Sequence, residues 1–234
     1  GSLLAFSAFE DGRADIIIVA LPEKDPETFP YPVIPFGFQN SVLAVHADNP
    51  VESLTAEQLR GIFGTSGQTV LARWGQMGVA EGWRNRSILP ASLTPSAGPA
   101  ISLFSHLILG GSPYRDNVQT FGTNIRVEGY LNNNESGVGI LTTVPVSENL
   151  KTVPIADDDT GVPFGPTPEN INYGDYPLTL PYFVCVPNSQ FRSLAPYITF
   201  LMSDEVVDIL ARNEFTPLLD ATRQQVISRL PVSQ

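Results

Sequence analysis

Stretches with apolar residues at helical spacing alternate along the chain with short apolar or β-branched runs, and that alternation is what most restricts the fold. Leu3-Leu4-Ala5-Phe6-Ser7-Ala8-Phe9 carries a helical pattern, and Asp11-Gly12 stops it, glycine being suited to the left-handed position after a helix. Ile16 to Ala20 follows as a strand. It is apolar on both faces and β-branched, which predicts a buried strand of a parallel sheet covered by helices. Pro22 to Pro35 reads as irregular loop and Gly37 to His46 as an extended segment. Thr55 and Gln58 have capping-box spacing ahead of a helix through Leu59 to Phe63. A strand around Ile88 leads through a Ser/Pro/Gly turn into a helix from Pro99 to Leu109, proline being well placed in a first turn. Next come a weaker helix over Val118 to Leu131 and short strands at Gly137 to Leu141 and Leu150 to Ile155. A long loop from Asp157 to Tyr176 and an extended Leu178 to Pro187 follow, and helical patterns at Leu194 to Met202, Glu205 to Asn213 and Thr222 to Leu230 close the chain. Such alternation points to layered α/β architecture.

With 234 residues the chain can form two lobes of about 100 residues each, the usual size of a domain. The extended segments near Phe38 to His46 and Leu178 to Pro187 bracket a central block. They predict one lobe from 1–40 with 184–234 and a second from 41–183. Two connections between lobes make a hinge, and ligands bind in the cleft of such an arrangement. The longest apolar runs, such as Ile16 to Leu21, are far short of the roughly 20 residues a spanning helix needs. A formal net charge of -11, with no basic patch against it, excludes nucleic acid as the expected partner. Gly1-Ser2 stands directly before a helical pattern, so an export leader is expected to have been removed or to lie outside this chain.

Catalysis needs groups in pairs, and none can be assembled here. His46 and His106 stand in apolar surroundings with no partner at ligand spacing, and no phosphate loop, metalloprotease motif or nucleophile elbow is present. Asp157-Asp158-Asp159 lacks the spaced carboxylates of a calcium loop and reads as a solvated turn. Glu135, beside Ser136, could serve as an acid or as a hydrogen-bond acceptor in a cleft, or could simply be solvated. Cys185, the single cysteine, lies in an apolar run and packs as a small hydrophobe. The expectation is a protein without enzymatic activity, metal or cofactor. One feature suits a ligand: the small-residue turn Ser96-Ala97-Gly98, which opens a helix at Pro99 and so offers backbone N–H groups and a positive dipole end to an anion. Gly1-Ser2 opens another helix in the same way, and ordinary capping is the alternative at both.

Taken in order, several segments resemble the phosphate-type solute-binding proteins of ABC transporters, which have the type II periplasmic-binding-protein fold. Gly12-Arg13-Ala14-Asp15-Ile16 resembles that family's run into its strand, and Leu54-Thr55-Ala56-Glu57-Gln58-Leu59 with Ile62-Phe63 its capped helix. Arg73-Trp74-Gly75, then Gly82-Trp83 to Ile88, is similar to its tryptophan-containing approach to the next strand. Gly137-Val138-Gly139-Ile140, Tyr176-Pro177-Leu178 and the run from Phe200 to Leu218 stand where the family has its glycine motif, return crossing and C-terminal helix with strand. The resemblance implies two α/β lobes, each a mixed sheet flanked by helices, with two hinge crossings and a small anionic or polar ligand between them. It also implies a membrane permease as partner and a periplasmic or extracellular setting, with any lipid anchor outside this chain.

On that resemblance the ligand-binding residues are Ser2, Ala20, Leu21 and Gln39 in the first lobe and Ser96, Ala97, Gly98 and Ser136 in the second. Two departures accompany it. The family's leading strand-helix unit precedes the point matched by Gly1. The turn after Leu89 carries no arginine, and Ala20-Leu21 stand where the family has Ser-Asp, so the rigid bidentate donor for phosphate is absent. A degenerate member serving as an interaction or sensory domain is the alternative reading.

Overall fold

The computed structural model describes residues 1–21, 28–67, 69–79, 81–156, 158 and 160–231. The elements in chain order begin with α1 (Ser2–Glu10), β1 (Ile17–Ala20), β2 (Val33–Asn40), β3 (Val42–His46), β4 (Leu54–Thr55), α2 (Ala56–Phe63), β5 (Leu89–Leu93) and α3 (Pro99–Leu107). They continue with β6 (Gln119–Phe121), α4 (Asn124–Asn132), β7 (Gly137–Leu141), β8 (Leu150–Thr152), β9 (Ile155–Ala156) and α5 (Pro168–Tyr173). The last are β10 (Thr179–Cys185), α6 (Phe191–Leu201), α7 (Asp204–Arg212), β11 (Thr216–Pro217) and α8 (Asp220–Arg229). No described helix is long and apolar enough to cross a membrane.

The chain divides into two compact units, Gly1–Gln39 with Leu180–Gln234, and Asn40–Thr179. The return boundary lies at Thr179/Leu180 rather than at 183/184. The reason is strand pairing: Tyr182 and Phe183 oppose Ala20 and Val19, which makes them part of the first unit's sheet.

The first unit holds a sheet in the order β1-β10-β2-β11, with β1 antiparallel to β10 and β11 antiparallel to β2. The side-chain period of two sends Val184 and Val186 to one face and Cys185 to the other. On the first face Val184 and Val186 pack with Ile34, Phe36, Ile198 and Met202. On the second, Cys185 packs with Phe9, Ile17, Val19 and Leu21, and burial pushes its thiol up to about 11. The expected buried parallel strand at Ile16 to Ala20 is corrected by this arrangement. Among the described residues β1 is an antiparallel edge strand with a neighbour, β10, on one side, and its alternate residue Ile18 is 42% exposed.

The second unit holds a mixed five-stranded sheet, β6-β5-β7-β3-β8, in which β5 is parallel to β6 and β7 while β3 is antiparallel to β7 and β8. A two-stranded parallel pair, β4-β9, accompanies it. All five residues of β7 are buried, as befits a strand flanked on both sides by others and covered by α4. Thr55 and Gln58 close the expected capping box: the Thr55 hydroxyl accepts from the Gln58 N–H at 3.2 Å, and Gln58 Oε1 accepts from the Thr55 N–H at 2.9 Å.

Four local expectations are corrected. Residues 33–35 are strand, not loop, and the predicted extended run to His46 breaks at Ser41 into β2 and β3. The helix expected over Val118 to Leu131 is a strand followed by a shorter helix, because Gln119 to Phe121 pair in parallel with β5 before Thr123 starts α4. Within the loop expected from Asp157 to Tyr176 lies α5, capped by the Thr167 hydroxyl on the Asn170 N–H and ended by Gly174 at φ 80. Asp158 accepts from the N–H and hydroxyl of Thr160, a solvated turn as expected, whereas Asp157 and Asp159 fall outside the described residues.

Candidate functional site

In parallel α/β sheets, ligands collect at the carboxyl ends of the strands, where helix N-termini converge. In the second unit β5, β6 and β7 are the parallel set, and the chain leaves Leu93 into the turn that the sequence singles out. Thr94 donates its N–H to the Phe121 carbonyl at 2.8 Å, which ties the turn to the end of β6. A single 3-10 turn over Pro95 to Ala97 is closed by the Ala97 N–H on the Thr94 carbonyl at 2.8 Å. Gly98 then redirects the chain at φ 152, ψ 177, a region open essentially to glycine alone, and α3 begins.

No side chain caps α3. Pro99 has no N–H, so the first-turn amides of Ala100 and Ile101 form the helix's positive end, with no intrahelical partner. Ser96 and Ala97 are exposed beside them, and the Ser96 hydroxyl sits 3.5 Å from that of Thr94. Ser96, Ala97 and Gly98 are therefore brought together on one anion-compatible turn.

Ser136 is not with them. Leu89 opposes Gly137 at the amino ends of β5 and β7, and Leu89 N–H bonds the Ser136 carbonyl at 3.2 Å. The length of β5 therefore separates Ser136 from the turn, about 16 Å at the usual strand rise. Its hydroxyl donates to the Ser87 carbonyl at 2.6 Å and accepts from Trp74 Nε1 at 3.1 Å, a structural role. Glu135 pairs with Arg86 at 2.7 Å, and the guanidinium holds its carboxyl below the usual range. A carboxyl so held stays ionised at neutral pH and is no proton donor.

In the first unit, the Ser2 hydroxyl accepts from the Ala20 N–H at 3.2 Å and donates to the Ala20 carbonyl at 3.4 Å, so the sequence-selected pair does meet. Leu21 is buried, with its N–H on the Pro181 carbonyl at 3.2 Å. Gln39 Oε1 accepts from the Tyr182 hydroxyl at 2.8 Å. The backbone donors of Ala20 and Leu21 are thus engaged by the protein itself. Among the described residues no group of three metal-ligating side chains occurs, and His46 Nδ1 accepts from the Asp48 N–H at 3.2 Å.

A supporting residue that sequence reading missed is Ser41. Fully buried, it donates its hydroxyl to the Ala100 carbonyl at 2.6 Å, gives its N–H to the Leu178 carbonyl at 3.0 Å, and accepts from the Tyr176 hydroxyl at 2.7 Å. It fixes the start of α3 and hence the turn. Ser41→Ala is expected to lower stability by about 0.5–1.5 kcal/mol, the usual net contribution of one hydrogen bond, since the Ala100 carbonyl lies inside α3 and keeps its helical partner. Urea unfolding measures it, and a change within about 0.5 kcal/mol, normal for surface substitutions, would deny Ser41 this role.

The sequence matches the PBP superfamily domain over residues 1–205, and the chain belongs to that family. No curated protein matches the sequence. Solved structures do. A possible phosphate binding protein of Planctomyces limnophilus is 20% identical with a TM-score of 0.73, over 95% of this chain and 83% of that one. An ABC-type phosphate transport receptor of Vibrio cholerae is 21% identical with a TM-score of 0.67, over 94% and 85%. PstS of Borrelia burgdorferi is 16% identical with a TM-score of 0.72, over 94% and 85%. At these identities the likeness establishes the two-lobed PBP-like fold.

Proposed function

We propose that this protein is a non-catalytic, extracytoplasmic solute-binding protein that delivers a small anion or polar solute to an ABC-transporter permease. A phosphate-like oxyanion is the first ligand to test. The observation that carries this reading is the family match over residues 1–205, on a chain whose solved neighbours include an ABC-type phosphate transport receptor. The uncapped start of α3 supports an anion at Ser96 to Gly98, since backbone N–H groups and the helix dipole both favour negative charge there. No arginine stands in that turn, which favours recognition by backbone and hydroxyl donors over the bidentate clamp of an arginine site. The setting is periplasmic or extracellular.

Calorimetric titration of the full chain with phosphate, sulfate, molybdate, tungstate and small carboxylates is expected to give saturable heat for at least one of them, without turnover. Ala97→Asp is the informative variant. Gly98 is unsuitable because any side chain at φ 152 is strained, whereas Ala97 is exposed and has ordinary backbone. A carboxylate at Ala97 repels an anion at the helix end and should weaken its binding by at least about tenfold. Stability should change little, since acids near helix N-termini are favourable by about 0.3–1 kcal/mol. Equal affinity in a folded Ala97→Asp protein removes the turn from the site. Flat titrations with every solute favour the interaction-domain reading instead.

A further inference from the structure

We propose that the second unit carries a site for a compact, uncharged polyol in a cavity of about 230 Å³ lined by Ser105 and Leu109 towards the C-terminal end of α3, by Gly111 to Tyr114, and by Pro95 of the turn before α3. The class of ligand follows from the size of the cavity and the residue types that line it. At about 30 Å³ per water in the liquid, the space equals roughly eight waters, and it lies below the roughly 300 Å³ at which sites for drug-sized ligands begin. A molecule of a few carbons fits.

None of the lining residues is acidic or basic. An ammonium would therefore find no carboxylate. An anion would face the negative end of α3, where the Gly111 N–H bonds the Ser105 carbonyl at 3.0 Å and the Ser112 N–H bonds the Leu109 carbonyl at 3.0 Å. Only an uncharged ligand escapes both penalties. Three of the seven lining residues bear a hydroxyl, Ser105, Ser112 and Tyr114, and three more, Pro95, Leu109 and Pro113, supply apolar surface. That combination matches a short carbon chain bearing several hydroxyl groups.

The tyrosine is already in place. Its hydroxyl is 2.9 Å from the Ser92 hydroxyl, and its ring lies 6.5 Å and 6.4 Å from those of Phe63 and Phe104, which are themselves edge-to-face at 5.6 Å. Burial pushes the phenol further up from its ordinary range, so it remains a protonated donor and acceptor. A ring so fixed lowers the entropic cost of holding a small ligand against it.

Saturation-transfer NMR on the full chain tests the proposal, with glycerol and 1,2-propanediol as probes and phosphate as the charged control. Transfer to the polyol protons is expected to saturate with concentration and to be unaffected by phosphate. Ser112→Phe fills the cavity and should abolish the saturable signal. Should that variant fail to fold, Tyr114→Phe keeps the ring and removes one hydroxyl. It should weaken the polyols about fivefold, the equivalent of one neutral hydrogen bond. Non-saturable transfer in the parent protein, or unchanged transfer in either folded variant, overturns the site. The anion site is judged independently, since loss of phosphate binding with polyol transfer intact, or the reverse, sinks only one of the two readings.

Discussion

Trp74→Ala is expected to lower the stability of the second unit by about 3–5 kcal/mol, the range for deleting a fully buried large aromatic side chain. Trp74 has no exposed surface, and its indole N–H reaches both the carbonyl and the hydroxyl of Ser136 at 3.1 Å. Two losses combine: a cavity the size of an indole, and a Ser136 carbonyl deprived of that donor at the point where the chain turns into β7. Trp74→Phe separates them. It keeps most of the packing and removes the N–H, so about 1–3 kcal/mol should be lost. Urea unfolding followed by far-ultraviolet circular dichroism reads both values. A loss below 1 kcal/mol for Trp74→Ala would mean that the site collapses around the smaller side chain.

Gly75→Ala is expected to cost about 3 kcal/mol, at the upper end of the usual overpacking range, for a change of one methyl group. A Cβ there would lie 2.5 Å from the Arg84 carbonyl oxygen and 2.9 Å from its Cα. Backbone cannot swing aside as a side-chain tip can. Relief requires displacing the Arg84 strand of chain, which also stretches the bond between Gly75 N–H and the Arg84 carbonyl, now 3.2 Å. The same unfolding experiment measures the effect, and a protein as stable as the parent would show that residues 73–84 repack freely. The double variant with Trp74→Ala should fall short of the sum, since neighbours in one packed unit are not independent. A cavity beside the added methyl offers it somewhere to go.

These two residues also explain why the run Arg73-Trp74-Gly75 was legible as a motif. Its residue types answer constraints set within one packed turn: an indole with a fixed partner, and a glycine where a backbone passes. Gly139 is similar, since a Cβ there would meet Leu131 Cδ1 at 2.8 Å and Val127 Cγ1 at 3.0 Å, so the glycine motif of β7 records how closely α4 packs upon it. The box at Thr55 and Gln58 could be read because both partners lie within four residues. By contrast, α5 carried a threonine cap, a first-turn proline and a terminal glycine, yet its six mostly polar residues gave no periodicity to count.

What the sequence by itself determined is local or additive: the capping box at Thr55 and Gln58, the small-residue turn before Pro99, and a net charge of -11 against polyanions. What only tertiary structure decided is which distant residues share a strand end or an edge. Gln119 to Phe121 became a strand because β5 lay beside them to take their hydrogen bonds. Ser136, alike in chemistry to Ser96, was sent to the opposite end of the sheet because β5 and β7 run parallel, and the backbone donors of Ala20 and Leu21 were engaged by Ser2 and Pro181. Ser41 joined the candidate site through partners 59 and 135 positions away, Ala100 and Tyr176. Capping and spacing are properties of a few consecutive residues, whereas strand direction and burial depend on which surfaces meet when the whole chain packs.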